Sequence, residues 1–173
     1  MRAPTVEWFN YGRGPEADDD RLRPMLPLIL ESPRRRLFAS GLLDSGADYS
    51  VLPSELAHRL RVTPRRADGF VKVLGARIPV GQSRIKAAIP FRAGDKSLGR
   101  VEFCVPVPPI DLPFVVLGRE PFFSQFEIRF QEWRGRVGLM ARHRVAQVEH
   151  APRRESGPLG LLVVKKRHRR RAT

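Results

Sequence analysis

The sequence predicts a small all-β domain, folded as a closed β-barrel with two short helices. Two observations predict this fold class. Short apolar or alternating segments recur through the middle of the 173-residue chain, and Gly, Pro or polar residues separate them, as expected for strands and tight turns. Only two short stretches begin with the signals of a helix. Many short strands with regular turns are typical of closed β architectures.

Composition divides the chain into three parts. Residues 25–142 carry the strand pattern and are the predicted domain, and 42% hydrophobic content over the chain is enough for a core. Residues 1–24 are predicted to form a flexible arm, because the acidic cluster at 16–20 lacks periodicity. Residues 143–173 are predicted to be a disordered tail, since they carry +7 of the net charge of +14. Three aromatic residues leave open whether the arm is anchored to the domain: Trp8, Phe9 and Tyr11.

The first predicted strands lead into an acidic turn. Residues 26–30 and 37–43 are apolar runs, and the polar turn 32–36 separates them. After the acidic turn, residues 53–60 predict the first helix, because this stretch starts with Pro and contains two leucines at i, i+4 spacing.

The second half of the chain predicts seven more strands and the second helix. Residues 70–74 and 77–80 alternate around a small-residue turn and predict a β-hairpin. The second helix is predicted at 120–123, where Pro again lies near the start. The remaining predicted strands are 83–91, 99–105, 114–118, 126–130 and 136–140.

Cysteine and histidine give no support to a metal centre. Cys104 is the single cysteine and lies in an alternating segment, so we predict a packed thiol rather than a nucleophile. The four histidines lack metal-ligand spacing. We therefore expect no metal ligands and no cofactor.

Membrane and secretory segments are also not expected. No apolar run approaches the ~20 residues of a membrane-spanning helix, and the first residues lack the apolar core of a secretory signal. A cytoplasmic location is therefore predicted.

The acidic turn is the candidate site. Asp44, Ser45 and Gly46 follow the apolar pair Leu42-Leu43, so a carboxylate and a hydroxyl come together where a strand ends. Gly allows the backbone to pass close by. The same three residue types favour ordinary turns, so the triplet by itself fits either a structural turn or an active site.

Three elements in order resemble the retropepsin-like aspartic proteases, over about residues 25–142. Residues 42–48 resemble the apolar-apolar-Asp-Thr/Ser-Gly-Ala loop of that family's active site, and the hairpin at 70–80 lies where the family has its flap. The third element resembles the family's apolar-apolar-Gly-Arg sequence and consists of Val115, Val116, Leu117, Gly118 and Arg119. The resemblance implies the small barrel of that family.

The resemblance also implies roles for individual residues. Asp44 is the expected catalytic residue, and Ser45 is expected to brace the loop against the same loop of a second chain. Gly46 would leave room for the substrate backbone, and Asp48 is expected to form an ion pair with Arg119, because Arg suits contact with a carboxylate. The residues expected to support the active-site loop are Ser45, Gly46, Ala47, Asp48 and Arg119.

The flap tip has two candidates. The favoured tip is Leu74, Gly75 and Ala76, preceded by Val73, because the hairpin is symmetric about it, and these four residues are the expected flap contacts to substrate. The competitor is the turn at 67–69. Both contain less glycine than many flaps of the family.

A single Asp-Ser-Gly triplet provides half of an aspartic protease dyad. Two carboxylates sharing one proton activate water and protonate the leaving amine, because like charges ~3 Å apart do not both ionise. We therefore predict an aspartic endopeptidase that acts as a homodimer on a polypeptide substrate. The alternatives are a weak or inactive peptide-binding module of the same fold, or a nucleic-acid-associated protein acting through the basic block from Lys165 to Arg171. The apolar run at 160–164 is a candidate dimer strand, self-processing site or loose tail.

Overall fold

The structure is a computed structural model that describes residues 5–13, 21–73 and 76–141. It is mostly β, which confirms the predicted fold class. A 3₁₀ turn at Glu132–Arg134 joins the last two strands. The elements are β1 Glu7–Asn10, β2 Gly12–Arg13, β3 Leu22–Arg23, β4 Met25–Glu31, β5 Arg36–Leu43, α1 Ser54–Arg59, β6 Arg65–Val73, β7 Ala76–Phe91, β8 Gly94–Pro106, β9 Val115–Leu117, β10 Phe126–Gln131 and β11 Arg136–Ala141.

The strands form three sheets. The largest has the order β6-β7-β4-β5-β9, with β8 also paired to β7. The second has the order β1-β11-β10, and β2 pairs with β3 in the third. None of these sheets closes on itself within the described residues, so the closure expected of a barrel is not observed there. All pairings in the large sheet are antiparallel except β5 with β9.

One apolar core joins the two larger sheets. Leu26, Leu28 and Leu30 of β4 are fully buried, and they belong to the same cluster as Phe122 and Phe126. The rings of these two phenylalanines stack with centroids 5.1 Å apart. The core therefore lies directly behind the strand pair β4–β5, which leads to the acidic turn.

The first predicted helix is confirmed as α1, and the second is wrong. Residues 121–125 form turns rather than a helix. Glu120 is held in a bridge to the acidic turn, since its N–H donates to Asp48 O (2.8 Å) and its carbonyl accepts from Ser50 N (3.0 Å). The five residues between this bridge and the start of β10 are too few for a helix of more than one turn.

Two strands predicted separately form one. β7 runs without interruption through Gly81, which lies between the predicted strands 77–80 and 83–91. A Cβ at Gly81 would lie 2.6 Å from Pro64 Cβ. The glycine is therefore present for the close approach of the segment before β6 rather than for a turn.

The described part of the predicted flexible arm is folded into the domain. β1 pairs with β11, with Trp8 opposite Gly138, and β2 pairs with β3. Tyr11 is buried, and its hydroxyl donates to Glu132 Oε1 at 2.6 Å. The aromatic residues therefore anchor the arm, as the sequence left open. The acidic cluster at 16–20 and the predicted tail at 143–173 lie outside the described residues.

Candidate active site

Asp44 lies where β5 leaves the sheet beside β9. The two strands run parallel, with Leu42 opposite Val116 and Leu43 opposite Leu117. The ladder continues one step further, since Asp44 N donates to Leu117 O at 3.1 Å. A glycine earlier in β5 permits this close packing, because a Cβ at Gly41 would lie 2.6 Å from Leu28 Cδ1. The position of Asp44 is therefore set by buried strands on both sides.

The carboxylate of Asp44 is oriented by its own loop. Gly46 N donates to Asp44 Oδ1 at 2.8 Å, and Ala47 N donates to Asp44 O at 3.2 Å. A Cβ at Gly46 would lie 3.1 Å from the same carboxylate oxygen. The Asp44 side chain remains half-buried and Ser45 is exposed. The loop thus fixes one carboxylate oxygen with a backbone donor while the residue keeps access to solvent.

The ion pair that the sequence predicts between Asp48 and Arg119 is present. Arg119 Nη2 lies 2.8 Å from Asp48 Oδ1, and both side chains are partly exposed, 47% and 36% respectively. Backbone bonds accompany it, since Arg119 N donates to Ala47 O at 2.8 Å. An exposed pair of this kind contributes about 1 kcal/mol or less. We infer that its main effect is to hold the loop against the Gly-Arg element.

Gly118 makes the contact between these two segments possible. A Cβ at this position would lie 2.4 Å from Tyr49 O and 2.9 Å from Ala47 O. The preceding residues of the same element, Val116 and Leu117, are buried. Only glycine fits at position 118 without a clash, which gives a steric reason for the Gly of the Gly-Arg element in this chain.

Ser50 is a site-supporting residue that the sequence did not single out. Its side chain is buried, its Oγ accepts from Gly118 N at 3.1 Å, and it donates to Glu120 O at 3.3 Å. The hydroxyl therefore bonds the backbone on both sides of Arg119. A serine after a turn predicts only local bonding, so the sequence carried no signal for these distant partners.

The flap hairpin, formed by β6 and β7, lies beside the acidic turn. The predicted tip is consistent with the strand pairing, because Val73 pairs with Ala76 across it, while Leu74 and Gly75 lie outside the described residues. The competing turn at 67–69 lies within β6, where the register shifts between Arg66 and Gly69.

A second buried cluster joins the flap to the acidic turn. It contains side chains from the loop after Asp44, from both flap strands and from β8 and β9. Its members are Ala47, Val51, Val71, Val80, Cys104 and Val116. Cys104 is thus a packed thiol in β8. The shared cluster couples the position of the flap to that of the acidic turn.

Tyr49 borders this cluster, and its environment favours the neutral phenol. Burial, followed by the negative charge of Asp48, raises the pKa of Tyr49 above its ordinary value. This side chain therefore remains a hydrogen-bond donor at neutral and moderately alkaline pH.

In the part of the chain that the structure describes, neither a metal-binding group of side chains nor a membrane-spanning helix is present. There, no group of three or more His, Cys, Asp or Glu residues is arranged to hold a metal ion. The helix in that part of the chain is also neither long nor apolar enough to cross a membrane.

Two comparisons with known proteins agree with this geometry. Residues 38–120 match the family described as aspartyl protease, a range that contains the acidic turn, the flap hairpin and the Gly-Arg element. A solved structure of a retropepsin-like aspartic protease from Rickettsia conorii matches with a TM-score of 0.53 and 14% identity. The match covers 82% of this chain and 97% of the Rickettsia chain, and at this identity it shows the fold. No curated protein sequence matches significantly.

Proposed function

Because the chain has the retropepsin-like fold and its residues 38–120 match the aspartyl protease family, we propose that it is an aspartic endopeptidase. In this proposal the active unit is a homodimer, and each chain contributes Asp44 to a dyad that activates water to hydrolyse peptide bonds. The observation that carries the proposal is the held but accessible carboxylate of Asp44, with Gly46 N bonded to Oδ1 at 2.8 Å.

A second copy of the chain is required by the chemistry. One carboxylate removes a proton from water while the other supplies a proton to the substrate, so hydrolysis needs two such groups around a shared water. The chain has one Asp-Ser-Gly triplet. A two-fold axis beside Asp44 would bring two identical loops together.

The surroundings of Asp44 have supporting roles in this proposal. Ser45 is exposed and would brace the partner's loop. The Asp48–Arg119 pair would hold the loop in place, and Gly46 would admit the substrate backbone. The flap, with Val73, Leu74, Gly75 and Ala76 at its tip, would cover the bound peptide. A polypeptide in extended form would then lie between the flap and the dyad.

Replacement of the carboxylate tests the proposal. We expect Asp44→Asn to reduce cleavage of a peptide library by at least about 10³-fold, because the amide does not act as a base. Fold and dimer should persist by circular dichroism and sedimentation. Asp95→Asn is the matched control, since that carboxylate forms an exposed pair with Arg36 and should keep wild-type activity.

Two results would contradict the proposal. One is cleavage by the purified Asp44→Asn protein at the wild-type rate. The other is a verified wild-type dimer that cleaves no peptide at acidic or neutral pH, which would instead favour the peptide-binding module.

A further inference from the structure

A groove lies beside β5, along the residues that precede the acidic turn. Its volume is about 510 Å³, and it is bounded by β5, α1 and the segment before β9. Apolar walls come from Phe38, Pro53, Leu56 and Phe114. Phe38 is 74% exposed, so its ring is available to an occupant of the groove.

The floor of the groove is an open strand edge. Leu43 N donates to Pro24 O, so, by the alternation of an antiparallel ladder, odd-numbered residues of β5 bond to β4. Phe38 and Ser40 therefore direct their amide N–H groups away from β4. β9 pairs with β5 only from Gly41 to Leu43. Over Phe38 and the N–H of Ser40 the edge faces the groove, with no strand paired to it among the described residues.

The described rim of the groove carries two arginines and a glutamate. These lining residues are Arg13 of β2 and Arg59 and Glu55 of α1. The whole chain is strongly basic, with a net charge of +14, and this field attracts acidic segments over longer distances. The charge therefore favours an occupant with carboxylates beside its apolar side chains.

We propose that this groove is an exosite for the polypeptide substrate. It binds an extended segment of alternating acidic and apolar residues as an additional strand on the edge of β5. Main-chain bonds to the open edge provide affinity, and the apolar walls and arginine rim provide selectivity. The inference rests on the proposed protease function, because it assigns the occupant to the substrate.

The exosite is separate from the catalytic position along the chain. Ser40 is four residues before Asp44, which corresponds to ~13 Å along an extended strand. A substrate that occupies both positions therefore carries its acidic segment at least about four residues from the cleaved bond. Occupancy of the groove would raise affinity without changing the chemical step.

Peptide binding to the Asp44→Asn variant, which is expected to be inactive, tests the exosite separately from activity. The probe is a fluorescein-labelled peptide of alternating Glu and Val, and the control probe has Lys in place of Glu. Anisotropy is measured with the full-length Asp44→Asn protein. We expect the Glu probe to bind at least about tenfold more tightly than the Lys probe, with the preference reduced by salt.

Two variants and one control locate the binding. Arg59→Glu should weaken the Glu probe by about tenfold, whereas Arg100→Glu makes the same charge change on β8 and should leave it within about twofold of the parent. Ser40→Pro removes the edge amide opposite Pro27 and should weaken both probes by about fivefold. Circular dichroism verifies each fold. If Ser40→Pro does not fold, the result with Arg59→Glu decides the test by itself.

Kinetics connect the groove to catalysis. With a substrate carrying an acidic-apolar flank, Arg59→Glu should raise KM by about tenfold with kcat unchanged, and a substrate without the flank should show no change. Absence of wild-type cleavage would reject the protease function alone, since the binding assay does not depend on it.

Three results would overturn the exosite. One is equal weakening of the Glu probe by Arg59→Glu and Arg100→Glu. Another is binding that appears only when Glu16, Asp18, Asp19 and Asp20 are replaced by Ser, because the chain's own acidic cluster would then be the occupant. The third is dissociation of the dimer by Arg59→Glu in sedimentation, which would make the groove a contact between copies.

Discussion

Asp44 and Gly118 belong to two segments that cross with almost no space between their backbones. Tyr49 O lies 2.4 Å from the position that a Cβ on Gly118 would take. Ser50 Oγ then bonds Gly118 N, so the contact is fixed by a hydrogen bond as well as by shape. The position of the catalytic candidate thus depends on a glycine and a serine that do not themselves provide chemistry.

Gly118→Ala should therefore destabilise the fold. The new methyl group meets backbone atoms of Tyr49 and Ala47, which cannot move without breaking the bond from Arg119 N to Ala47 O. We expect the free energy of unfolding in urea to fall by about 3 kcal/mol. Gly12→Ala is the comparison variant and should cost less, because a Cβ there would meet only side-chain atoms of Met25, the nearest at 3.3 Å, and no backbone. Equal stability of the two variants would contradict the steric account.

At this scale the sequence predicted residues whose chemistry is visible in their type. Asp48 and Arg119 have opposite charges, and the resemblance supplied the reason to pair them. Ser50 has no such signature, since its partners Gly118 and Glu120 lie 68 and 70 residues away. Periodicity and turn preference describe neighbours in sequence, so they do not predict the role of a buried hydroxyl whose partners are distant in sequence.

Among the elements, local signals predicted α1 but failed at 120–123. Both stretches contain Pro near the start, yet only the backbone of the first is free to form a helix. The second begins at Glu120, whose backbone is already bonded to Asp48 and Ser50. Tertiary bonds of this kind override local helix preference, and a single sequence does not reveal them.

For the N-terminal arm the prediction failed in the opposite direction. The acidic cluster predicted a flexible segment, whereas the arm contains a packed strand. β1 pairs with β11, and the ring of Trp8 occupies the space left by the missing side chain of Gly138. Arg136 lies over the same ring at 4.4 Å from its centroid. Pairing between residues 7–10 and 136–139 spans nearly the whole domain, so alternation within a four-residue strand was too weak to predict it.

The contact of Tyr11 with Glu132 should make the stability of this arm depend on pH. Burial, the hydrogen bond and the charge of Glu132 raise the pKa of Tyr11 above its ordinary value of 10.0. The stabilisation is therefore complete below pH 10 and is lost as the pH rises through the folded-state pKa. We expect Tyr11→Phe to cost about 1 kcal/mol at pH 7, with a smaller difference from wild type above pH 10.

Urea unfolding at neutral pH and above pH 10 measures that difference. Glu132→Gln should also reduce the pH dependence, because it removes the charge and keeps an acceptor for the phenol. A Tyr11→Phe penalty that stays constant or grows above pH 10 would refute the assignment.

At the scale of the whole molecule, the all-β class was predictable and the arrangement was not. Alternation and turn residues predict strands wherever they occur. The parallel contact of β5 with β9 brings Gly41 to Val115, and only the resemblance to a known fold suggested that these segments are neighbours. The idea of a site completed by a second copy came from the chemistry, because the chain has one Asp-Ser-Gly triplet and a dyad needs two carboxylates.

A shared site makes activity depend on the composition of the dimer. If each dyad needs Asp44 from both chains, a dimer with one Asp44→Asn chain is inactive. With a ninefold excess of Asp44→Asn over wild type and complete subunit exchange, the activity per wild-type chain should fall about tenfold, because about nine in ten wild-type chains then have an inactive partner. A ninefold excess of Asp95→Asn should cause no loss, since that protein keeps its own Asp44.

Dilution of wild type alone should lower the activity per chain as dimers dissociate, and sedimentation over the same concentrations gives the dimer fraction. Undiminished activity per wild-type chain at verified exchange would mean that one Asp44 is sufficient, and the dyad would then have to be abandoned.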